Sequence, residues 1–216
     1  MGKRIVEIKE AIKIKAPSAT PPARARTRSK IARAKLVDAA IEEFWLNGFH
    51  ETKVSDIVAR AGMSQPAFYM YFRSKDAIYS FLVKRVHDEL LSIVNATVIP
   101  PDLSRQAMMD GVRATIEAFL QYFVDNPHLS SIGYFQDTSG TIRDAVVSLV
   151  SRKVAFEQGT GLWRKDVDPL FFAECYGGTI ERVIRGYLLT GKSTAADLAR
   201  RVSELYLHGM LRSEAK

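Results

Sequence analysis

The chain of 216 residues is 47% hydrophobic and 25% charged, and its net charge is +7. This length suits a small domain plus a larger one with a substantial core. No apolar run approaches the roughly 18 residues of a membrane helix, and the N-terminus lacks the continuous apolar stretch of a secretory signal. The single cysteine, Cys175, cannot form an intrachain disulfide, so we expect a cytoplasmic protein without membrane contacts.

The positive charge is concentrated at the N-terminus. Residues 1–35 hold eleven of the 31 Lys and Arg residues but only two of the 24 acidic residues. Residues 16–28 contain three prolines and no large apolar side chain, which is typical of an extended or disordered linker. We interpret residues 1–28 as a basic arm that follows phosphates or enters a minor groove of DNA. A solubilising tail without fixed contacts is the alternative.

Two helices are predicted next. Residues 29–47 carry an apolar stripe at helical spacing, and Gly48 ends that helix. A second helix is predicted over about 53–61, with Thr52 as its N-cap.

The turn that follows is the most informative feature of the chain. Gly62 can adopt a positive φ where the chain reverses, Ser64 is a good N-cap, and Pro66 falls in the first turn of the next helix, where its missing N–H costs little. That helix is about two turns long and cannot fold alone. Because it is short and aromatic, a role at its surface explains it better, and the major groove of DNA fits.

Three helices in residues 29–74 predict a compact helix-turn-helix domain. The sequence here resembles the N-terminal pattern of tetracycline-repressor-type (TetR family) transcriptional regulators. The residues that match combine helical periodicity, two turn signals and a Tyr-x-Tyr-Phe-x-x-Lys run: Leu36, Val37, Ala40, Phe44, Gly48, Thr52, Val54, Ile57, Ala61, Gly62, Ser64, Tyr69, Tyr71, Phe72 and Lys75. Gln65, Ala67 and Met70 depart from the Lys, Thr and His that are common in this family, so a relative's operator sequence cannot be assumed.

Candidate DNA contacts follow from this domain. Gln65 is the only residue of the short helix whose amide can pair bidentately with adenine, and Pro66 and Ala67 can contact a thymine methyl group. Lys75 is expected to reach the phosphate backbone, with hydroxyl contacts from neighbouring residues. The predicted DNA-binding set is Arg28, Lys30, Thr52, Lys53, Ser64, Gln65, Pro66, Ala67, Tyr69, Met70, Tyr71 and Lys75.

Residues 75–216 are predicted to form a larger helical domain, which makes the fold all-α. No alternation of β-branched residues indicates a strand. The helices are predicted from Ser74 or Lys75 to about Asn95, from Asp102 or Ser104 to Asn126, over 128–137, over about 140–158, from Asp168-Pro169 to about Thr190, and from Thr194 to about Leu211.

Large apolar side chains in the middle helices either line a ligand cavity or form the core. The predicted ligand-binding residues are Met108, Phe119, Phe123, Tyr134, Phe135, Trp163, Phe172 and Tyr176. Their excess over charged residues suggests a largely apolar effector, such as an aromatic compound, a drug or an acyl chain. Trp163 lies either at the mouth of a pocket or as a cover on the core.

The last two helices are candidates for dimerisation or for packing within one subunit. Gly177, Gly178 and Gly186 interrupt an apolar surface and permit close approach of a second helix. The resemblance favours a homodimer, because TetR-type regulators dimerise through a four-helix bundle made by their last two helices. A two-fold dimer would present two recognition helices to successive major-groove faces of a palindrome.

We expect no metal, cofactor or catalytic site. The four His residues show no paired metal spacing. Residues 186–193 fit the P-loop expression G-x-x-x-x-G-K-[ST], but the segment continues an amphipathic helix, and Gly191 is better explained as the end of that helix.

The resemblance implies a ligand-responsive transcriptional regulator, with a repressor released from a palindromic operator by an apolar molecule as the favoured form. The first alternative keeps the helix-turn-helix, but its C-terminal domain binds a protein partner. The second is an enzyme, for which the sequence offers no polar constellation.

Overall fold

The computed structural model describes residues 23–96, 104–136 and 140–209, apart from the side chains of residues 23–26 and 105. Throughout these residues the regular elements are helices, which confirms the all-α prediction. They are α1 Ala23–Glu51, α2 Val54–Ala61, α3 Gln65–Tyr69, α4 Lys75–Ala96, α5 Arg105–Asp125, α6 Pro127–Ser130 with a π-helical continuation Ser131–Gln136, α7 Thr141–Gly159, α8 Pro169–Val183 with a π-helical continuation Ile184–Leu188, and α9 Ala195–His208. In the described part of the chain, no helix is both long and apolar enough to cross a bilayer.

The chain divides into two compact units, one that ends at Lys35 and one that begins at Leu36. In the first unit the described residues, 23–35, are helical. The prediction of a linker was therefore wrong for residues 23–28. All three prolines precede Ala23, and the alternating Ala and Arg residues that follow are good helix formers. The rest of the predicted basic arm, residues 1–22, lies outside the described residues.

The second unit begins with the helices that the turn signals predict. Gly48 interrupts α1 with φ 75° and ψ 169°. Gly62 ends α2 at φ 64°, and the N–H of Met63 closes the turn on the carbonyl of Val58 at 2.8 Å. The Ser64 hydroxyl then accepts from the N–H of Ala67 at 3.4 Å, as an N-cap does. Both glycines have a positive φ, which a residue with a Cβ rarely adopts.

Phe68 holds the short helix α3 in place. Its side chain is fully buried, and its ring lies 5.9 Å from that of Phe72. The Phe72 ring lies 5.9 Å from that of Phe81 in α4. The five-residue helix is thus attached to α4 by aromatic packing, which supplies the stability that so few backbone hydrogen bonds cannot.

Helix α4 runs through the middle of the larger helical region. One stripe of it is buried, made of Ile78, Leu82, Val86, Leu90 and Val94. Helices α5 and α7 and the π-helical segment after α6 pack around it. At Gly133 of that segment a Cβ atom would lie 2.6 Å from Val86 Cγ2, so only glycine permits this close approach. Helix α9 packs on α5.

The caps predicted for the last two helices are present. The Asp168 carboxylate accepts from the N–H of Phe171, and the Thr194 hydroxyl accepts from the N–H of Asp197. Gly191 lies in the turn between these helices at φ 68°, and its N–H donates to the carbonyl of Leu188. The segment with the P-loop expression is therefore a helix end and a turn, as the sequence indicates.

We predict that Thr52→Val destabilises the fold. The Thr52 side chain is 1% exposed, and its hydroxyl lies 2.7 Å from the Gly48 carbonyl and 3.1 Å from that of Glu43. Valine keeps the shape but removes the buried hydroxyl that both carbonyls contact, which costs about 1–2 kcal/mol of unfolding free energy. Denaturant unfolding followed by circular dichroism measures this.

The matched control is Thr190→Val, which removes an exposed hydroxyl that also lies near two carbonyls, those of Gly186 and Tyr187. Because water replaces the donor there, we expect a change within about 0.5 kcal/mol. Equal effects of the two variants would contradict a buried role for Thr52.

Candidate nucleic-acid interface and ligand cavity

The exposed face of α3 carries most of the side chains predicted to read DNA. Gln65 and Pro66 in its first turn are exposed, and Tyr69 and Met70 at its end are exposed to 55% and 79%. Ala67 is half-buried. These side chains are therefore accessible to a partner surface.

Exposed cations lie near this helix in the sequence. Lys53, the N-cap residue of α2, is exposed, and so is Arg73, which follows α3. The sequence analysis did not single out Arg73, although a basic residue between a recognition helix and the next helix is a readable signal. Arg28 and Lys30 are exposed on the first unit.

Thr52 is not part of this face. The sequence assigned its hydroxyl to DNA, but the side chain is buried and the hydroxyl lies within hydrogen-bond distance of two carbonyls of α1. The N-cap position of α2 also belongs to Lys53 rather than to Thr52. The predictions of Thr52 as a DNA contact and as the N-cap of α2 were therefore wrong. The physical reason is that the break at Gly48 leaves carbonyls at the end of α1 that need a nearby donor.

Lys75 also has partners within the protein. Its ammonium donates to the carbonyls of Phe49 and His50 at 2.7 and 3.2 Å and lies 4.4 Å from the centre of the Phe49 ring. Lysine commonly caps the last carbonyls of a helix in this way. A phosphate contact by Lys75 stays a prediction. Tyr71 is half-buried against the core.

A buried carboxylate fixes α2 against α1. Glu43 is 8% exposed and accepts from Arg60 Nε at 2.5 Å and from Asn47 Nδ2 at 2.9 Å. Sequence reasoning missed this pair because its members are 17 residues apart. The available signal was a glutamate within the apolar stripe of Ala40 and Phe44.

Helix α1 also contacts the larger helical region through His128, which lies in α6. The imidazole stacks on the Trp45 ring, with ring centres 3.8 Å apart and planes 15° apart. His128 Nδ1 lies 2.7 Å from a carboxylate oxygen of Glu42. The segment that follows α5 is thereby attached to the first helix of the helix-turn-helix.

The larger cavity, which we call the main cavity, has a volume of about 680 Å³. It lies among the C-terminal end of α4, the N-terminal half of α5, α7, α8 and α9. Four of the predicted ligand-binding residues line it, namely Met108, Trp163, Phe172 and Tyr176. Valine and isoleucine side chains complete much of the wall: Val94, Val112, Ile116, Val150, Val154 and Val167.

Two charged groups of the main cavity have partners within the protein. The Lys153 ammonium donates to the Val94 carbonyl at 2.8 Å, and the Trp163 indole donates to the buried carboxylate of Glu157. Burial and the neighbouring Tyr206 raise the pKa of the Tyr176 hydroxyl, so it is neutral at physiological pH. Sequence reasoning missed Lys153 and Glu157, although their position on the valine face of α7 was a signal.

A smaller cavity of about 310 Å³, the side cavity, lies between α7 and α8 and reaches α4 and α5. Phe119 and Tyr134 line it, and so does Tyr176. Phe123 and Phe135 line neither cavity. Phe123 is fully buried among aromatic rings, and Phe135 is covered by the Arg185 guanidinium at 4.0 Å, so the structure makes both of them core residues.

Other chemistry finds no support in the described residues. They contain no group of His, Cys, Asp and Glu residues that could hold a metal ion. Cys175 is an exposed thiol on α8.

A short exposed helix, fixed by a glycine turn onto a three-helix domain and joined to a larger helical region, defines a helix-turn-helix transcriptional regulator. Residues 36–80 match the family model for bacterial regulatory proteins of the tetR family. The chain is 32% identical to the uncharacterized helix-turn-helix-type transcriptional regulator YdgC of Bacillus subtilis. That match covers 83% of this chain and 93% of YdgC. The chain therefore belongs to the TetR family, whose members are DNA-binding regulators rather than enzymes.

Solved structures share the fold. A TetR-family regulator from Syntrophomonas wolfei superposes with a TM-score of 0.67 at 19% identity, over 86% of this chain and 99% of that one. The regulator FadR from Bacillus subtilis, in complex with stearoyl-CoA, superposes with a TM-score of 0.66 at 17% identity, over 82% and 99%.

We predict that Lys75→Met lowers stability more than it alters the salt dependence of DNA binding. Methionine keeps the apolar stem but removes the donor of the Phe49 and His50 carbonyls, a loss of about 1 kcal/mol. Thermal unfolding measures the first effect, and titration of DNA at several salt concentrations measures the second.

The comparison variant is Lys53→Met, which removes an exposed cation. If Lys53 contacts a phosphate, this change reduces the slope of log affinity against log salt by about one. A slope reduced equally by Lys75→Met would show that the Lys75 ammonium leaves its carbonyl partners to contact DNA.

Proposed function

We propose that this protein is a ligand-responsive repressor of transcription that binds a palindromic operator as a homodimer and is released by a largely apolar small molecule. The observation that carries this proposal is the main cavity. It lies in the helical region that α4 and α5 connect to the helix-turn-helix. A regulator with a cavity of this size has room for a drug-sized effector.

The walls of the main cavity favour an apolar effector. Lys153, Glu157 and the Trp163 indole already bond within the protein, so a ligand meets mainly the carbon atoms of valine, isoleucine, methionine and aromatic residues. Burial of such a ligand stabilises the complex by about 25 cal/mol for each Å² of apolar area removed from water. FadR, which shares the fold, was crystallised with stearoyl-CoA, and this supports an effector that contains an apolar chain.

Helix α4 connects the effector to DNA. Near its N-terminal end, Phe81 packs on Phe72 and through it on Phe68 of the recognition helix. Near its other end, Val94 lines the main cavity. A residue advances about 1.5 Å along a helix, so these two contacts lie about 20 Å apart on one rigid element.

Helix α5 provides a parallel connection. It lines the main cavity with residues 108–116, and the chain beyond its end places His128 on Trp45 of α1. An effector that favours a different placement of α4 and α5 would favour a dimer whose recognition helices are wrongly spaced for the operator. The population can shift between the operator-binding dimer and the wrongly spaced dimer by no more than the effector's difference in affinity for the two.

The proposed dimer uses α8 and α9. Exposed apolar side chains lie on these helices and on the turn between them, namely Leu170, Phe171, Tyr187, Leu189 and Leu205. A second copy would remove them from water in an isologous four-helix bundle. Such a dimer places two copies of α3 on one face for two half-sites of the operator.

Within each half-site, Gln65 is assigned the reading of an adenine, with thymine-methyl contacts from Pro66 and Ala67. Tyr69 and Met70 supply further contacts from the exposed face of α3. Arg28, Lys30 and Lys53 supply phosphate attraction, which positions the protein without specifying sequence.

We predict that Gln65→Ala relaxes specificity at one base pair in each half-site. The lost bidentate pairing is worth about 1–3 kcal/mol of discrimination, whereas nonspecific affinity hardly changes. Selection from random DNA, followed by sequencing, compares the motifs of the two proteins. Gln121→Ala, which removes an exposed amide from α5, is the control and should return the wild-type motif. An unaltered motif for Gln65→Ala would remove Gln65 from base reading.

We predict that an apolar molecule extracted from the purified protein releases it from its operator. The extract, identified by mass spectrometry, is added to the operator complex in a mobility-shift assay and to cells with a reporter gene. Release together with increased transcription supports a repressor.

Val154→Phe, which reduces the main cavity, should raise the effector concentration needed for release about tenfold or more, because overpacking costs about 1–3 kcal/mol. Two results together would favour the protein-partner alternative. In the mobility-shift assay no extracted molecule releases the operator, and in the cells expression of the reporter depends on a second protein.

A further inference from the structure

The two cavities share a wall. The residues that line both are Val94, Thr115, Ile116, Val150 and Tyr176. Four of these five are aliphatic residues or a threonine on α4, α5 and α7, and the fifth is a tyrosine on α8. The side cavity of about 310 Å³ therefore lies directly behind this wall of the main cavity of about 680 Å³.

Tyr176 is held in the wall by ring packing alone. Its ring stacks on that of Phe172 with centres 5.8 Å apart and meets the Tyr206 ring edge-on at 5.3 Å. Across the described residues, no hydrogen bond is made by its hydroxyl, whereas that of Tyr206 lies 2.7 Å from Thr179 Oγ1. Rotation of Tyr176 therefore sacrifices ring packing but no hydrogen bond.

The side cavity stays open because α8 contributes glycine at two positions of its wall, Gly177 and Gly178. A Cβ atom at Gly177 would lie 3.1 Å from Val147 Cγ2 of α7, which shows how closely the two helices approach there. Arg143 and Glu181 also line this cavity, and their closest nitrogen and oxygen are 3.9 Å apart, beyond hydrogen-bond distance. Glu181 accepts from Arg185 Nε at 3.0 Å, so Arg143 is the more loosely paired of the two. The side cavity thus combines apolar walls with two charged side chains.

We propose that the effector is an elongated, largely apolar molecule that passes Tyr176 and occupies both cavities, with a polar end at Arg143 and Glu181. This inference rests on the proposed function, because it assigns the shape of the effector that the main cavity takes. A compact ring system would fill the main cavity alone. A chain or a rod of linked rings gains further apolar contact in the side cavity, and its polar end replaces water near the two charged side chains.

Two variants of one helix test the proposal. Val147 lines only the side cavity and Val154 only the main cavity, and both are half-buried valines on α7. Val147→Phe reduces the side cavity, and Val154→Phe reduces the main cavity by the same substitution. The probes are straight-chain alcohols of about 6 to 14 carbons, for which each buried methylene raises affinity roughly fourfold. Calorimetric titration of the full-length protein gives the affinity for each chain length.

For Val147→Phe we expect affinity to level off at an intermediate chain length. For the wild type we expect affinity to keep rising with chain length beyond that point. For the longest probes the difference should be about tenfold or more, which corresponds to two or more methylenes. Val154→Phe should weaken binding at every length. If Val147→Phe follows the wild type at every length, the side cavity is not used and the inference fails, whereas release of the operator by the extracted effector still supports the proposed function.

Binding of no alcohol at any length would also overturn the inference. Loss of operator release, measured separately, is what would overturn the proposed function. If Val147→Phe melts well below the wild type, Val147→Leu replaces it, because leucine adds only a single methylene. The same comparison of affinity against chain length then tests whether the side cavity is used.

Discussion

The position of the recognition helix depends on the burial of one ring. Helix α3 has five residues, and a helix of that length has no stability of its own in water. Phe68 supplies the missing stability because it is fully buried and touches Phe72, which in turn touches Phe81 of α4. The placement of α3 therefore depends on its packing against α2 and on this aromatic contact with α4 rather than on helix stability of its own. A displacement of α4 would reach α3 through the Phe81, Phe72 and Phe68 rings.

Polar contacts complete the attachment of α1. The break at Gly48 leaves carbonyl groups at the end of the helix without intrahelical partners. Thr52 supplies a donor from the segment before α2, and Lys75 supplies donors from the start of α4. Glu43 adds a bond to Arg60 of α2. These contacts thus attach the end of α1 to both α2 and α4.

The sequence predicted the features whose physical causes lie within a few residues. The caps at Ser64, Asp168 and Thr194 are examples, because a hydroxyl or carboxylate meets an N–H three residues ahead. The breaks at Gly48 and Gly62 follow in the same way from the conformational freedom of glycine.

Features that depend on distant partners were not predictable in this way. Lys75 and Thr52 have the residue types of phosphate contacts, but their bonds to α1 depend on how three helices pack. Phe123 and Phe172 are both phenylalanines on amphipathic helices, yet one is fully buried and the other faces a cavity. No local pattern separates the two cases, because a cavity is a property of several helices together. The individual DNA contacts and the dimer interface stay predictions for the same reason.

The chain contains two tryptophans, one at the main cavity and one on α1. Trp163 lines the main cavity, with its indole N–H on the Glu157 carboxylate. Trp45 lies on the first helix of the DNA-binding region, stacked face to face on His128. Indole emission responds to solvent exposure and to stacking on an imidazole ring. The intrinsic fluorescence of this protein should therefore respond at two places: Trp163 emission to a molecule bound in the main cavity, and Trp45 emission to loss of the contact with His128.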